Sequence, residues 1–447
     1  MKTSEHIARF SRLGGSIITA AFIVVLIVTS APAQDAPVSQ ELLQRGAYLA
    51  RAGDCTACHT AREGEAFAGG VPKNTPIGII YSTNITPDPE TGIGRYSSDD
   101  FVQVMRSGVA KDGHHLYPAM PYPSFGRVTQ QDLLALYAWF MQGVEPVYKQ
   151  NRPTKLTWPL SMRSLMAVWN ALYVTKGEYS ADPEKSASWN RGAYLVQGLG
   201  HCGDCHTPRG VAGQVKADSE RDGSHYLTGA TLNNWHASNL TGKRDSGLHA
   251  WSEDEIVELL RTGRTTRVAA IGVMTEVVAK STQYLTDQDL MAIAEYLKSL
   301  PPATNQEEDT EDFAMQASDA SAATHALRAG DTALRGSQVY LDNCNACHRS
   351  DGSGAERTFP NLAKNKTVNA HDPVSLIHLV LTGSAMPSTQ TAPTAFTMPD
   401  FGWRLSDGDV AEVLSFVRSS WGNHAAEVSS DEVGSVRKAL AIQKKAE

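Results

Sequence analysis

The sequence predicts an all-α protein assembled from three tandem helical units. Three observations carry that prediction. The pattern Cys-x-x-Cys-His occurs three times, as Cys55-Thr-Ala-Cys58-His59, Cys202-Gly-Asp-Cys205-His206 and Cys344-Asn-Ala-Cys347-His348, at intervals of 147 and 142 residues. The flanks of each copy repeat too, with apolar residues at helical spacing. No stretch of comparable length shows the alternation of a half-buried strand.

Residues 1–33 read as an export signal. Lys2, Arg9 and Arg12 precede an apolar run from Ile17 to Val28, and Ala31-Pro-Ala33 offers small residues for cleavage. The run falls short of the roughly 20 residues of a spanning helix, which leaves an uncleaved anchor as the competing expectation. Unit 1 is expected over residues 38–150, unit 2 over 189–303 and unit 3 over 326–423. A linker with an amphipathic helix spans 151–188, an acidic linker spans 304–325, and 424–447 form a C-terminal tail.

Within each unit the elements recur. Arg45-Gly-Ala-Tyr-Leu-Ala, Arg191-Gly-Ala-Tyr-Leu-Val and Arg335-Gly-Ser-Gln-Val-Tyr lead into the cysteines, each glycine being expected to start a short helix. A second helix begins at Ser97-Ser-Asp-Asp100 and Ser252-Glu-Asp-Glu255, both capping-box patterns, and in unit 3 at Asp372-Pro373. These helices should stop at Gly108, Gly263 and Gly383. The last helices open with Thr129-Gln-Gln-Asp132, Thr286-Asp-Gln-Asp289 and Ser406-Asp-Gly-Asp409, again a cap three residues before an acid.

The linker helix carries Met162, Leu165, Met166, Trp169, Leu172 and Tyr173 on one face, which favours packing between units over a partner- or membrane-facing patch. The second linker contains Glu307-Glu-Asp-Thr-Glu-Asp312 and reads as solvated. The tail ends in a basic, weakly amphipathic stretch that permits surface association.

Cys-x-x-Cys-His is the attachment signature of c-type haem. Two thiols one helical turn apart match the two vinyl groups on one edge of the porphyrin, and the adjacent histidine becomes an iron ligand. Zinc would need pairs of pairs and strand the third. Thioredoxin-like pairs require no following histidine, and structural disulfides would not repeat with one. With Cys55, Cys58, Cys202, Cys205, Cys344 and Cys347 all used, three covalent haems are expected, with His59, His206 and His348 as proximal ligands.

The opposite ligand decides between an open iron and electron transfer. It should lie on a loop after the second helix and before the capped last one. Met120 lies 12 residues before Asp132, and Met274 lies 15 before Asp289. Unit 3 offers Met386 and Met398, 23 and 11 residues before Asp409 and both followed by proline. The matched distance, and the echo of Met120-Pro-Tyr-Pro-Ser-Phe in Met398-Pro-Asp-Phe, favour Met398. Asn84, Asn239 and Asn361 recur between haem motif and second helix, where backbone turn duty outweighs a bond to a haem propionate.

The net charge of −8, or −10 after cleavage at Ala33, argues against nucleic acid as a partner. No later segment is long and apolar enough to cross a bilayer.

The whole pattern resembles the triheme cytochrome c subunits of bacterial membrane-bound alcohol, gluconate, sorbitol and fructose dehydrogenases. The likeness extends through Tyr81-Ser-Thr-Asn-Ile-Thr-Pro-Asp-Pro-Glu-Thr-Gly-Ile-Gly94, Ser281-Thr-Gln-Tyr-Leu-Thr286 and Met398-Pro-Asp-Phe-Gly-Trp-Arg-Leu-Ser406. It implies three class I cytochrome c-like domains with axial pairs His59/Met120, His206/Met274 and His348/Met398. It further implies a flavin- or quinoprotein dehydrogenase subunit as partner, ubiquinone as acceptor, and peripheral association with the periplasmic face of the inner membrane. Unit 3 departs by lacking the Gly-Ala-Tyr-Leu lead. The competing functions are a haem enzyme with one open iron, such as a peroxide or small-molecule reductase, and a free periplasmic shuttle. No dinucleotide fingerprint or nucleophile elbow stands in a fitting context to suggest other chemistry.

Overall fold

The computed structural model describes residues 39–241, 247–302 and 319–446. The export signal and most of the acidic linker lie outside them.

The first repeat comprises α1 (Gln40–Ala52), α2 (Cys55–His59), β1 (Pro72–Thr75), β2 (Gly78–Tyr81), α3 (Ser98–Ser107), α4 (Tyr122–Phe125) and α5 (Gln130–Gln142). β3 (Lys155–Leu156) and α6 (Leu165–Tyr173) follow as a connector. The second repeat has α7 (Ala187–Gln197), α8 (Gly203–His206), β4 (Ala230–Leu232), β5 (Trp235–Ala237), α9 (Glu253–Thr262), α10 (Val273–Lys280) and α11 (Asp287–Ser299). The third has α12 (Asp319–Ala329), α13 (Ser337–Asn343), α14 (Asn345–His348), α15 (Val374–Thr382), β6 (Ser384–Ala385), β7 (Thr397–Met398), α16 (Asp407–Ser419) and α17 (Ser430–Ala446).

The protein is thus mostly helical, but the all-α expectation needs correction. Among the described residues there are three small antiparallel sheets: β1-β2-β3, β4-β5 and β6-β7. Their strands are two to four residues long, too short for an alternating pattern to register in the sequence.

The lead glycines mark helix crossings rather than helix starts in the first two repeats. A Cβ on Gly46 would stand 2.1 Å from the Ala135 carbonyl oxygen of α5, and one on Gly192 1.9 Å from that of Ala292 in α11. Only a residue without a side chain lets the first and last helices approach so closely. In the third repeat Gly336 does precede its helix, and its Cβ would meet the Glu412 carbonyl oxygen of α16 at 2.1 Å.

The predicted caps form. Ser97 with Asp100 and Ser252 with Glu255 make reciprocal capping boxes, and α3 and α9 end on left-handed Gly108 and Gly263. Pro373 stands one place earlier than expected, at the N-cap of α15. The first two repeats share one continuous apolar core, running from Leu49, Phe101 and Leu136 to Leu195, Leu290 and Tyr296. A second core holds Tyr340, Ile377, Leu414 and Trp421. The tail belongs to it: α17 buries Val433 and Val436 there, and Arg437 bonds Asp407 and the Leu405 carbonyl.

The linker helix lies between the first two repeats as expected, Trp169 bonding Ala212 of the second and Asn170 bonding Tyr122 and Ser107 of the first. It differs from expectation in that none of α6 is buried and its apolar residues are not confined to one face. Met166, Trp169 and Tyr173 turn inward, whereas Leu165, Val168 and Leu172 are exposed.

Candidate haem sites

Each Cys-x-x-Cys-His stretch folds as a single helical turn, which puts the two sulfurs three residues apart on one side. None of the six cysteines is in a disulfide. Burial pushes the Cys55, Cys202 and Cys344 thiols up to about 12, with the neighbouring Asp54 or the partner cysteine adding to it. Cys205 rises to about 11, again mainly by burial and then by Asp204. A redox Cys-x-x-Cys pair works through a lowered thiol; these thiols are held in the opposite direction. Among the described residues, no three His, Cys, Asp or Glu side chains converge as a metal cage.

The three histidines are held alike. His59 Nδ1 lies 2.7 Å from the Thr83 carbonyl oxygen, His206 Nδ1 2.7 Å from that of Ser238, and His348 Nδ1 3.0 Å from that of Pro360. A carbonyl only accepts, so Nδ1 carries the proton and Nε2 keeps its lone pair for iron. Burial lowers all three imidazoles, against the raising effect of the carbonyl bond, and so favours the neutral, ligating form.

What aims each carbonyl is the residue after it. Asn84 Oδ1 accepts from the Thr86 amide at 2.9 Å, Asn239 Oδ1 from the Thr241 amide at 2.8 Å, and Asn361 Oδ1 from the Ala363 amide at 2.8 Å. These Asx turns fix the bend that presents Thr83, Ser238 and Pro360 to the histidines. The recurrent asparagines therefore serve the backbone, as their sequence context suggested.

The methionines are partly buried but differently carried. Met120 sits in the turn before α4, its amide bonded to the Tyr117 carbonyl. Met274 is not on a loop as expected: it is the second residue of α10, which Gly272 begins at φ +56° against the face of Trp235. Met398 lies in β7 opposite Ser384. Met386 lines a cleft with Phe359, Pro360 and Asn361, the stretch that accepts from His348, together with Arg264.

The first two sites are built into each other. α10, which carries Met274, packs on α2 of the first repeat. Reciprocally, Phe125 of α4 meets the His201 ring edge-on at 5.8 Å, and Ser124 bonds Asp204 inside the second motif. The third repeat joins the second through Trp235 stacked on His378 at 3.9 Å and through buried Arg264. That guanidinium donates to the carbonyls of Ala392 and Thr394, gripping the connection between β6 and β7.

Thiol pairs beside neutral, tautomer-locked histidines fit haem c: the cysteines would hold its vinyl carbons and the histidines its iron. Comparison with known proteins agrees. Residues 333–421 match the family Cytochrome c. Over 428 residues the chain is 48% identical to the gluconate 2-dehydrogenase cytochrome c subunit of Pantoea cypripedii, covering 94% of this chain and 95% of that one. It belongs to the cytochrome c subunits of dehydrogenases. The alcohol dehydrogenase (quinone) cytochrome c subunit of Gluconobacter oxydans is 44% identical, with 97% and 90% covered. The fructose dehydrogenase cytochrome subunit of Gluconobacter japonicus is 38% identical, with 92% and 86% covered. Covalently bound haem c and an electron-transfer role as a dehydrogenase subunit follow from that membership.

Sequence reasoning missed two features. One is Arg264, an unremarkable basic residue in the chain. The other is the use of Asp132 and Asp289, described below, which the cap pattern disguised.

Proposed function

We infer that this chain carries three haem c groups in three tandem cytochrome c-like units, with His59/Met120, His206/Met274 and His348/Met398 as axial pairs. It conducts electrons from a partner dehydrogenase, flavin- or quinoprotein, to ubiquinone. The partner's substrate class is an alcohol, sugar or sugar acid, by analogy with what the relatives' names state. The chain is exported and associates peripherally with the periplasmic face of the inner membrane. Bound haem supplies a one-electron iron couple, and a thioether opposite histidine keeps the iron closed and its potential high.

The observation that carries this reading is the threefold recurrence of one clamp, Cys-x-x-Cys-His with Nδ1 on a carbonyl set by an Asx turn. The repeats differ in sequence around it but not in that arrangement. The intimate packing of the first two sites supports conduction between them, since each distal segment lies on the other's attachment helix.

The test is a haem-to-protein ratio with ferric and ferrous spectra of the purified protein. Three low-spin haems per chain, reduced by the dehydrogenase subunit with its substrate and reoxidised by a short-chain ubiquinone, are expected. High-spin iron that binds carbon monoxide readily in the untreated protein would overturn it.

A further inference from the structure

The connector between the first two repeats has a composition unlike the rest of the chain. Between Glu145 and Glu178 it holds five basic residues, Lys149, Arg152, Lys155, Arg163 and Lys176, and no acidic one, in a protein of net charge −8. Among the described residues none of these five is in an ion pair. Arg152 and Arg163 lie over the rings of Tyr81 and Tyr117, and Lys155 and Lys176 reach solvent. The same stretch contributes seven of the thirteen exposed large apolar side chains of the described residues. Trp158 is 78% exposed, Val168 61% and Leu172 68%.

A helix apolar on every side expects cover on every side. α6 receives it on one only. Its inner face is pinned: Trp169 donates to the Ala212 carbonyl, and Asn170 bridges the Tyr122 hydroxyl and the Ser107 carbonyl. The preceding loop is fixed to the Met120 region, with Tyr117 donating to the Leu160 carbonyl and Arg163 to that of His115. The outward row is therefore held on a firm base.

We propose that residues 152–176 are the surface by which the protein lies on an anionic phospholipid bilayer. Trp158, Val168 and Leu172 enter the headgroup region while the exposed Lys155 and Lys176, which carry no side-chain hydrogen bond or ion pair among the described residues, meet lipid phosphates. The core of a protein interface is depleted of lysine and uses both charge signs. Apolar residues flanked by basic charge of one sign, with tryptophan, are the mark of an interfacial segment. The attachment of the connector beside Met120 brings the first distal loop to the lipid surface. This inference rests on the membrane association proposed above and assigns it a site.

The test is flotation of the haem-loaded protein with vesicles of phosphatidylglycerol and phosphatidylethanolamine, against vesicles of phosphatidylcholine. Salt-sensitive binding to the anionic vesicles is expected. The combined W158S, V168S and L172S variant should lose about tenfold or more of that binding, and K155Q with K176Q should lose less and mostly at low salt. Haem spectra report that the variants are folded. Failure of the wild type to float, or equal flotation of the triple variant, overturns the proposal. So does a triple variant that floats normally but no longer co-purifies with the dehydrogenase subunit, since the strap would then be the partner's seat. Reduction by the dehydrogenase in detergent reads electron transfer separately, so failure of one leaves the other standing.

Discussion

Tyr48 of the first repeat donates its hydroxyl to Asp289 of the second at 2.5 Å, and Tyr194 of the second returns the bond to Asp132 of the first at 2.6 Å. Each carboxylate is buried and also meets its own repeat's lead arginine, Arg191 to Asp289 at 2.8 Å and Arg45 to Asp132 at 2.6 Å. The contact is reciprocal, and it joins the repeats where their helix crossings lie. In the third repeat Gln338 occupies the place of these tyrosines, and Asp409 instead closes a capping box on Ser406. The missing Gly-Ala-Tyr-Leu lead thus marks a repeat outside this pairing.

Replacing either tyrosine with phenylalanine strands a bond to a buried carboxylate. A hydrogen bond to a charged group contributes about 1.5–3 kcal/mol. Tyr48→Phe and Tyr194→Phe should each lower stability by that order in denaturant titration, with haem content unchanged. Arg191→Ala should cost more, about 3–5 kcal/mol, because it leaves Asp289 buried without its partner.

The same pair sets an acid limit. Burial works against the Asp289 carboxylate, but the bonds from Arg191 and Tyr48 outweigh it and hold the group below its ordinary 3.8. A carboxyl lowered on folding stabilises fully above its unfolded value and loses that contribution as pH falls through the folded one. Stability measured from pH 6 downward should therefore decline below about 4, and the decline should be shallower in an Asp289→Asn variant.

Asp54 behaves oppositely. It precedes Cys55 in a left-handed turn, buried, with Oδ1 lacking a hydrogen bond, and burial, then Glu276, push it up to about 8. A carboxyl raised on folding gives stability present below its unfolded value and lost as pH rises to the folded one. The wild type should lose stability between about pH 4 and 8 relative to Asp54→Asn, at up to about 1.4 kcal/mol per pH unit. Parallel curves for the two proteins across that range would refute the assignment.

Much of this was legible in the chain. Helix starts at Ser97, Ser252 and Ser406 could be read because a cap and its acid are local in sequence. So could the three Cys-x-x-Cys-His turns, whose cysteines and histidines are contiguous. The acids of Thr129-Gln-Gln-Asp132 and Thr286-Asp-Gln-Asp289 misled, since their partners lie 62 and 241 residues away and only the shared Arg-Gly-Ala-Tyr lead hints at them. Helix identity for Met274 was hidden because α10 is short and opens at a glycine without a side-chain cap. The outward face of α6 was illegible too: apolar periodicity shows that a face wants cover, not whether the fold supplies it.

The carbonyl clamps should differ in sensitivity. Asn84 is buried and uses its whole amide, accepting from Thr86 and donating to Thr91 and the Val147 carbonyl. Asn361 makes the Asx turn but is only partly buried. Asn84→Ala should cost on the order of 2–3 kcal/mol or more, each buried partner left unpaired adding about 1–3. Asn361→Ala should cost less. In both, redox titration should show one haem of the set shifted, the one whose histidine loses its fixed acceptor.

The third distal ligand can be argued from the two faces of its site. His348 is clamped from one side by Pro360, and Met386 lines the cleft that Pro360 and Asn361 share with Arg264. A methionine sharing an iron with His348 would serve its Nε2, whereas Met386 stands with the residues that hold Nδ1. Met398 leads instead into the turn whose amides bond α15, with Phe401 donating to the Val380 carbonyl and Gly402 to that of Leu381. Those bonds, three and four residues after Met398, tie its strand to the second helix of the repeat; in the first repeat the Leu116 amide, four residues before Met120, ties the methionine loop to Gly108 at the end of α3. Met398→Leu should therefore remove the methionine-to-ferric-iron absorption of one haem and open that iron to carbon monoxide. Met386→Leu should leave both unchanged. The reverse outcome would exchange the two methionines, and loss of neither signal would remove both from the iron.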